Sequence, residues 1–296
     1  MNIDVTKYFI ANFIYGTISF FLHFVNASSE FVVLCRGLLG SLFIFIIMLT
    51  NKELPDRQSI KDNFKYLIIS GAALGFNWVA LFAGYRYGSA ITSLCNYTAP
   101  IIITIISTII YKEKMSLKQL IFVLMAFIGI IFVSGVFETN SSVDYHCVIY
   151  GMLAAIGFTI LVINNRKLKD IKPLDKTITQ LLVSALVVLP YVYFNNGFPT
   201  TLDTRSLLII ILLGFVHTGL AYIFYFNSIS VLPIHKVVII GYIEPVLSVI
   251  VGVLVFNEPI SIFGIIGAVL IILAALFSEL SSKWRLAFAS LFKAFQ

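Results

Sequence analysis

The sequence predicts an all-α integral membrane protein: ten transmembrane helices in two inverted five-helix repeats, with both termini cytoplasmic. Three observations predict it. Of the 296 residues, 59% are hydrophobic and only 11% charged, against roughly 45–50% and 25% in a soluble domain. The apolar residues lie in continuous runs of about 20, the length that crosses a bilayer as a helix. One such run, with its flanks, recurs in the second half of the chain.

The runs do not alternate with period two, so they read as helices and not as strands of a barrel. A helix satisfies its own backbone hydrogen bonds, which lipid requires. In order, the predicted spans are 8–25, 31–50, 64–85, 90–110, 118–136, 146–164, 177–194, 206–226, 236–256 and 260–280. One lysine precedes the first span and no small-residue cleavage pattern follows it, so that helix is read as retained. Short polar breaks separate the spans: Asn51–Arg57 after the second, Glu138–Ser142 after the fifth and Asn195–Pro199 after the seventh. No loop is long enough for a soluble domain.

Orientation follows from the basic residues, which favour the cytoplasmic side. With the N-terminus inside, the cytoplasmic segments hold Lys7; Lys52, Arg57, Lys61 and Lys65; Lys112, Lys114 and Lys118; Arg166, Lys167, Lys169, Lys172 and Lys176; Lys236; and Lys283, Arg285 and Lys293. Only Arg86 and Arg205 fall outside, and Arg36 lies within a span. Nine or eleven helices would scramble this bias. The formal charge of +6 therefore reports topology and gives no reason to expect a nucleic-acid partner. Cys35, Cys95 and Cys147 form no C-x-x-C, which suggests neither a disulfide framework nor a metal site.

The repeat has an offset of 145 residues without a gap. Tyr97, Pro100, Glu113 and Ser116 coincide with Tyr242, Pro245, Glu258 and Ser261. The residues between are apolar in both copies, and each copy is the fourth helix of its half. Five helices per half is an odd number, so the halves run in opposite directions through the membrane. The expected division is 1–140, 141–282 and a basic aromatic tail at 283–296. Inverted repeats are the architecture of many secondary transporters, with a midplane substrate site between the halves.

At this point the chain resembles the drug/metabolite transporter superfamily, in its EamA-like branch. The resemblance rests on Arg36-Gly37, Pro100 with Glu113, and Tyr242-Ile243-Glu244-Pro245 with Glu258. It implies alternating-access movement of a small-molecule solute across a bacterial-type plasma (inner) membrane, through a cavity lined by both halves. The superfamily holds exporters and importers. One departure is Ala99 in the first half where the second has Glu244, so any acid-dependent step is asymmetric.

Ionisable groups at membrane depth cost roughly 2.5–3.5 kcal/mol on insertion scales, which makes Glu244, His217 and Arg36 functional candidates. Glu244, beside Pro245, is suited to exchange a proton or bind a cation. The alternative is a carboxylate that holds a proline kink. His217 could relay protons or pack as a hydrogen-bonded histidine. Asn77 and Trp78 suit an amine or aromatic solute, or else join helices. Tyr15, Asn96, Tyr97, Tyr222 and Tyr242 complete the expected cavity set. Arg36 reads as a substrate contact or half of an ion pair, with Glu30 or with a residue of another helix. Glu113 and Glu258 end their helices at opposite surfaces and, with Pro100 and Pro245, read as gating or loop-fixing residues.

No nucleotide-binding loop G-x-x-x-x-G-K-[ST] is present, so transport is expected to run on a gradient of protons, sodium or solute, without a cofactor. No embedded acid pair, metal motif or G-x-S-x-G supports an intramembrane enzyme. The mixed acid, imidazole, amide and aromatic set fits an amino acid or amine better than a sugar phosphate. The expected direction is export; the alternatives are an importer or facilitator of the same fold, or a channel or receptor. The remaining partners are membrane lipids, and the expected assembly is a monomer or homodimer.

Overall fold

A computed structural model describes residues 3–110, 117–133, 144–195, 197–229, 232, 240–241, 243–274 and 276–277. Glu113, Tyr242 and the basic tail lie outside the described residues. The regular elements among the described residues are helices: α1 (Ile3–Gly16), α2 (Ile18–Leu22), α3 (Ser29–Thr50), α4 (Arg57–Asp62), α5 (Phe64–Tyr85), α6 (Ser89–Asn96), α7 (Ala99–Ile110), α8 (Leu117–Val133), α9 (Tyr145–Asn165), α10 (Pro173–Phe194), α11 (Thr204–Gly214), α12 (Ala221–Ile229) and α13 (Ile243–Ile250). A further helix, α14, runs Ile262–Ala274. Wide π-helical turns at Phe215–Leu220 and Val251–Val255 continue α11 and α13.

Among the described residues, six helical stretches are long and apolar enough to cross a membrane: Ile3–Leu22, Ser29–Thr50, Phe64–Tyr85, Tyr145–Asn165, Pro173–Phe194 and Thr204–Ser228. Four shorter apolar helices, Ser89–Ile103, Leu120–Val133, Ile243–Val255 and Ile262–Ala274, overlap the remaining expected spans.

Two spans expected as uninterrupted are broken in the structure, the first at Thr17 between α1 and α2 and the fourth between α6 and α7. The fourth pauses after Asn96 because Pro100 has no N–H for the carbonyl one turn back. Thr98 fills in by donating its hydroxyl to the Cys95 carbonyl at 2.7 Å. Pro100 therefore sits in the first turn of α7, where proline is tolerated, and does not kink a helix interior.

Starts of helices are fixed locally. Ser28, Asp56, Asp144 and Asp203 accept from the amides of Phe31, Gln58, His146 and Ser206, each cap worth about 1 kcal/mol.

The two halves interleave. α5 packs along α9 and α10, α3 along α10, α1 against α12 and α13, and α6 against α9 and α13. Close approach is sequence-encoded: a Cβ on Gly37 would stand 2.9 Å from the Leu181 carbonyl and 3.0 Å from the Ala185 methyl. Gly71 and Gly75, a small-xxx-small pair, face Val183 and Ser184 of α10.

Polarity is inverted relative to a soluble protein. Leu186, Leu208 and Phe127 are 61–65% exposed, while Arg36, His217 and Asn77 are only 2–4% exposed. An apolar girdle around polar side chains is stable when lipid, not water, surrounds it. The chain is a multi-pass membrane protein.

Candidate functional site

The site grows from Arg36. Its guanidinium lies over the Trp78 ring at 4.2 Å and the Phe82 ring at 5.0 Å. One turn of α5 separates these two rings, so they stack on one face. Its Nε donates to the Thr218 hydroxyl at 2.9 Å, and its Nη1 has no hydrogen-bond partner among the described residues. Thr218 in turn donates to the Leu213 carbonyl at 2.9 Å, five residues back. That spacing belongs to the π-helical turn, which rotates Thr218 and His217 towards α1 and α3. π-bulges frequently mark functional sites for this reason.

Arg36 meets no carboxylate within ion-pair distance among the described residues, which corrects the expected pairing with Glu30. Six residues at about 100° each carry Glu30 roughly a third of the way around α3 from Arg36. Glu30 stands instead beside Gly197 in the loop after α10.

The aromatic wall continues from Trp78 to Tyr222, with ring centres 6.4 Å apart, and from Tyr222 to Tyr15 at 5.9 Å. The Tyr15 hydroxyl is buried without a partner. Glu244, half-buried at the start of α13, hydrogen-bonds the Tyr97 side chain and lies within electrostatic reach of Arg36. The two make no direct ion pair.

His217 is occupied: Nε2 is 3.1 Å from the Thr17 hydroxyl, and Phe21 packs edge-on at 5.1 Å. The His217 Nδ1 faces the Leu212 carbonyl at 3.4 Å, so both ring nitrogens have a polar neighbour. Asn77 joins helices, donating to the Ala154 carbonyl at 2.8 Å and to Asn96 at 3.3 Å. Of the expected cavity residues, the structure thus gathers Tyr15, Arg36, Trp78 and Tyr222 around one point, with Glu244 and Tyr97 nearby. His217, Asn77 and Asn96 are engaged in interhelical bonds.

A vestibule of about 630 Å³ opens at the end of the molecule predicted to face outward. His23, Asn26, Tyr85, Arg86, Thr200 and Phe256 are among its lining residues. His23 stacks on Phe256 at 4.0 Å, and Arg86 is tied to the Ala27 carbonyl. Tyr85 bridges the two regions: it lines the vestibule and accepts a 3.2 Å hydrogen bond from Ser93, which pairs with Ser248 at 2.6 Å.

Beside this mouth, Glu258 reaches across the halves. Its carboxylate accepts from the Ser89 amide at 2.8 Å, the Ser89 hydroxyl at 2.7 Å and the Ala90 amide at 2.9 Å, so it caps α6 at the positive end of the helix dipole. Asn257, at φ 52°, makes the left-handed turn that aims it. Gly252 leaves the room, since a Cβ there would stand 2.6 Å from the carboxylate.

Two carboxyls outside the spans are held below their ordinary range by capping. Asp203 is held down by the Ser206 hydroxyl and amide, Asp144 by the His146 amide and imidazole.

Thr218, Phe82, Tyr85 and Phe256 were not singled out by sequence. The only local signal for Thr218 is the glycine pair Gly214 and Gly219 that brackets it, packed against Leu39 and Phe43.

The family model described as the EamA-like transporter family matches residues 5–135 and again 146–280. Among curated proteins, the uncharacterized transporter YxxF of Bacillus subtilis is 23% identical over 270 residues, 90% of this chain and 86% of that one. The uncharacterized transporter YyaM of the same organism is 25% identical and covers 80% of each chain. An uncharacterized transporter of Archaeoglobus fulgidus is 22% identical, covering 91% of this chain and 92% of its own. One solved structure, described only as a crystal structure of a protein, superposes with a TM-score of 0.64 at 14% identity, covering 95% of this chain and 98% of that one. It shares the fold.

Proposed function

Because the chain belongs to the EamA-like transporter family, and so is a membrane transporter, we propose that it moves a small polar or amphipathic metabolite by gradient-driven alternating access across the plasma membrane. Ten crossings in two inverted halves, with both termini cytoplasmic, are part of this reading. One observation carries it: a buried polar and aromatic site is assembled jointly by the two halves. Tyr15, Arg36 and Trp78 come from the first, and Thr218, Tyr222 and Glu244 from the second. A site held in common is opened to one side or the other when the halves rock.

The solute class is that of amino acids and amines, and the direction is export. A single arginine against one acid suits a compact solute of low net charge. A phosphorylated solute calls for a cluster of basic groups. Glu244 is the group that takes up and releases the coupling proton, since a carboxyl in a closed, low-dielectric site exchanges protons with bound charge. A sodium-coupled carrier would need an oxygen-lined ion site.

The test is reconstitution. Proteoliposomes loaded with unlabelled amino acids or amines are assayed for uptake of the labelled solute, with and without an imposed pH gradient. The wild type should exchange one class and concentrate it against a gradient only when protons flow the other way. Glu244→Gln should still exchange but no longer concentrate. A wild type indifferent to the pH gradient defeats the proton-coupled reading, and net movement following protons inward defeats export.

A further inference from the structure

Two buried donors of the central site have no acceptor among the described residues. Arg36 is 2% exposed, and three of its surroundings are named: Thr218 on Nε, Trp78 and Phe82 on its faces. Nη1 has no acceptor. The Tyr15 hydroxyl has none either. The two groups lie within electrostatic reach of each other, linked by the Trp78–Tyr222–Tyr15 ring series. A buried donor left unmade costs roughly 1–3 kcal/mol, more when charged. Two of them at one site is an expense that folding alone does not explain.

We infer that Arg36 Nη1 and the Tyr15 hydroxyl form a carboxylate clamp, and that the transported solute is a monocarboxylate with an apolar or aromatic body. This rests on the transporter reading above and narrows it: amines that lack a carboxylate are excluded as substrates. The chemistry is specific. A carboxylate presents two acceptor oxygens in one plane, and both orphan groups are donors. The aromatic wall of Trp78, Tyr222 and Phe82 accommodates the solute's apolar part. Glu244, within electrostatic reach of both donors, disfavours a second negative charge, which separates this solute from a dicarboxylate or a phosphate ester. Both donor atoms are shielded from the vestibule in this conformation, so the carboxylate reaches them when the halves part.

The experiment uses four matched probes: 3-phenylpropionate, L-phenylalanine, L-phenylalanine amide and phenethylamine. The full-length detergent-purified protein is titrated with each while its melting is followed, because a ligand of the folded state raises apparent stability by mass action. The two carboxylates should stabilise the wild type, and the amide and amine should not. Arg36→Gln should abolish the effect. Tyr15→Phe is the informative variant because its hydroxyl holds nothing in place. Its unliganded melting should be unchanged or higher, while carboxylate affinity should fall about tenfold, the loss of one charge-assisted hydrogen bond.

Stabilisation by the amide or amine equal to that by the carboxylates overturns the inference. So does the absence of any carboxylate-dependent shift, or unchanged affinity in Tyr15→Phe. Counterflow of the same probes in proteoliposomes separates the two readings. Exchange of the amine alone leaves the transporter standing without the clamp. Carboxylate binding without exchange leaves the clamp standing without transport.

Discussion

Removing the Glu258 carboxylate isolates a charged tie at the vestibule mouth that joins the two halves, beside the neutral ones from Asn26 to Ser206 and from Ser28 to Gly197. The group accepts three hydrogen bonds of 2.7–2.9 Å, two of them from first-turn amides of α6. Bonds to a charged group contribute roughly 1.5–3 kcal/mol each in isolation, but the three do not add. Ser89 borders the vestibule, where water replaces part of what is lost. The nearest measured analogy is loss of a helix N-cap, about 1 kcal/mol and up to 2, to which the interaction with the helix dipole adds roughly 0.3–1. Glu258→Ala should therefore cost about 2 kcal/mol. At roughly 2–4 °C per kcal/mol for a chain of this size, melting in detergent, followed by intrinsic fluorescence, should fall by about 4–8 °C. Glu258→Gln, which keeps one carbonyl oxygen, should lose about half as much.

Gly252→Ala attacks the same tie from behind, with a Cβ 2.6 Å from the carboxylate. Combined with Glu258→Ala it should cost clearly less than the sum, because both changes break one interaction. If Glu258→Ala melts with the wild type, or the double variant is strictly additive, the carboxylate is not the cap described here.

Other outcomes follow from the same geometry. Thr218→Val removes the acceptor of Arg36 Nε and leaves a buried cation with still fewer partners, so it should destabilise by about 2–3 kcal/mol in denaturant or thermal unfolding; Arg36→Met in the same background should recover part of that loss. Asp203 is held below its ordinary range by Ser206. Its cap is therefore fully in force above the unfolded carboxyl value near ~4 and is lost as pH falls through the lower folded value. Asp203→Asn should flatten that acid limb in a melting-against-pH series while leaving the neutral end nearly unchanged. An unaltered acid limb would mean that other carboxyls control it.

The spans were legible because lipid imposes a simple rule on composition: long apolar runs with breaks of Asn, Asp, Glu and Pro. Membrane-embedded charge was legible for the same reason. Arg36 and Glu244 are conspicuous in a chain with so few charges, and both lie in or beside one polar cluster. Partner choice was not legible. Helical spacing along α3 could suggest Glu30 for Arg36, but the actual acceptor, Thr218, is 182 positions away. It points correctly only because the backbone widens into a π turn, which hydropathy does not register. The repeat identified Glu258 as a helix-terminal residue, yet its target at Ser89 is a property of how the halves meet. Tyr85 carries no signal of its own in the sequence, and only packing turns it into the link between vestibule and centre.

The reach from Glu258 back to Ser89 spans 169 positions, and this has a consequence for biogenesis. A ribosome adding about 5–20 residues per second delivers the capping carboxylate roughly 8–34 s after the helix that needs it. Until then the first half sits in the bilayer with the amides at the start of α6 unclaimed, at the very end where water can enter. The early half is thus a wet intermediate, sealed only once the second repeat has been made.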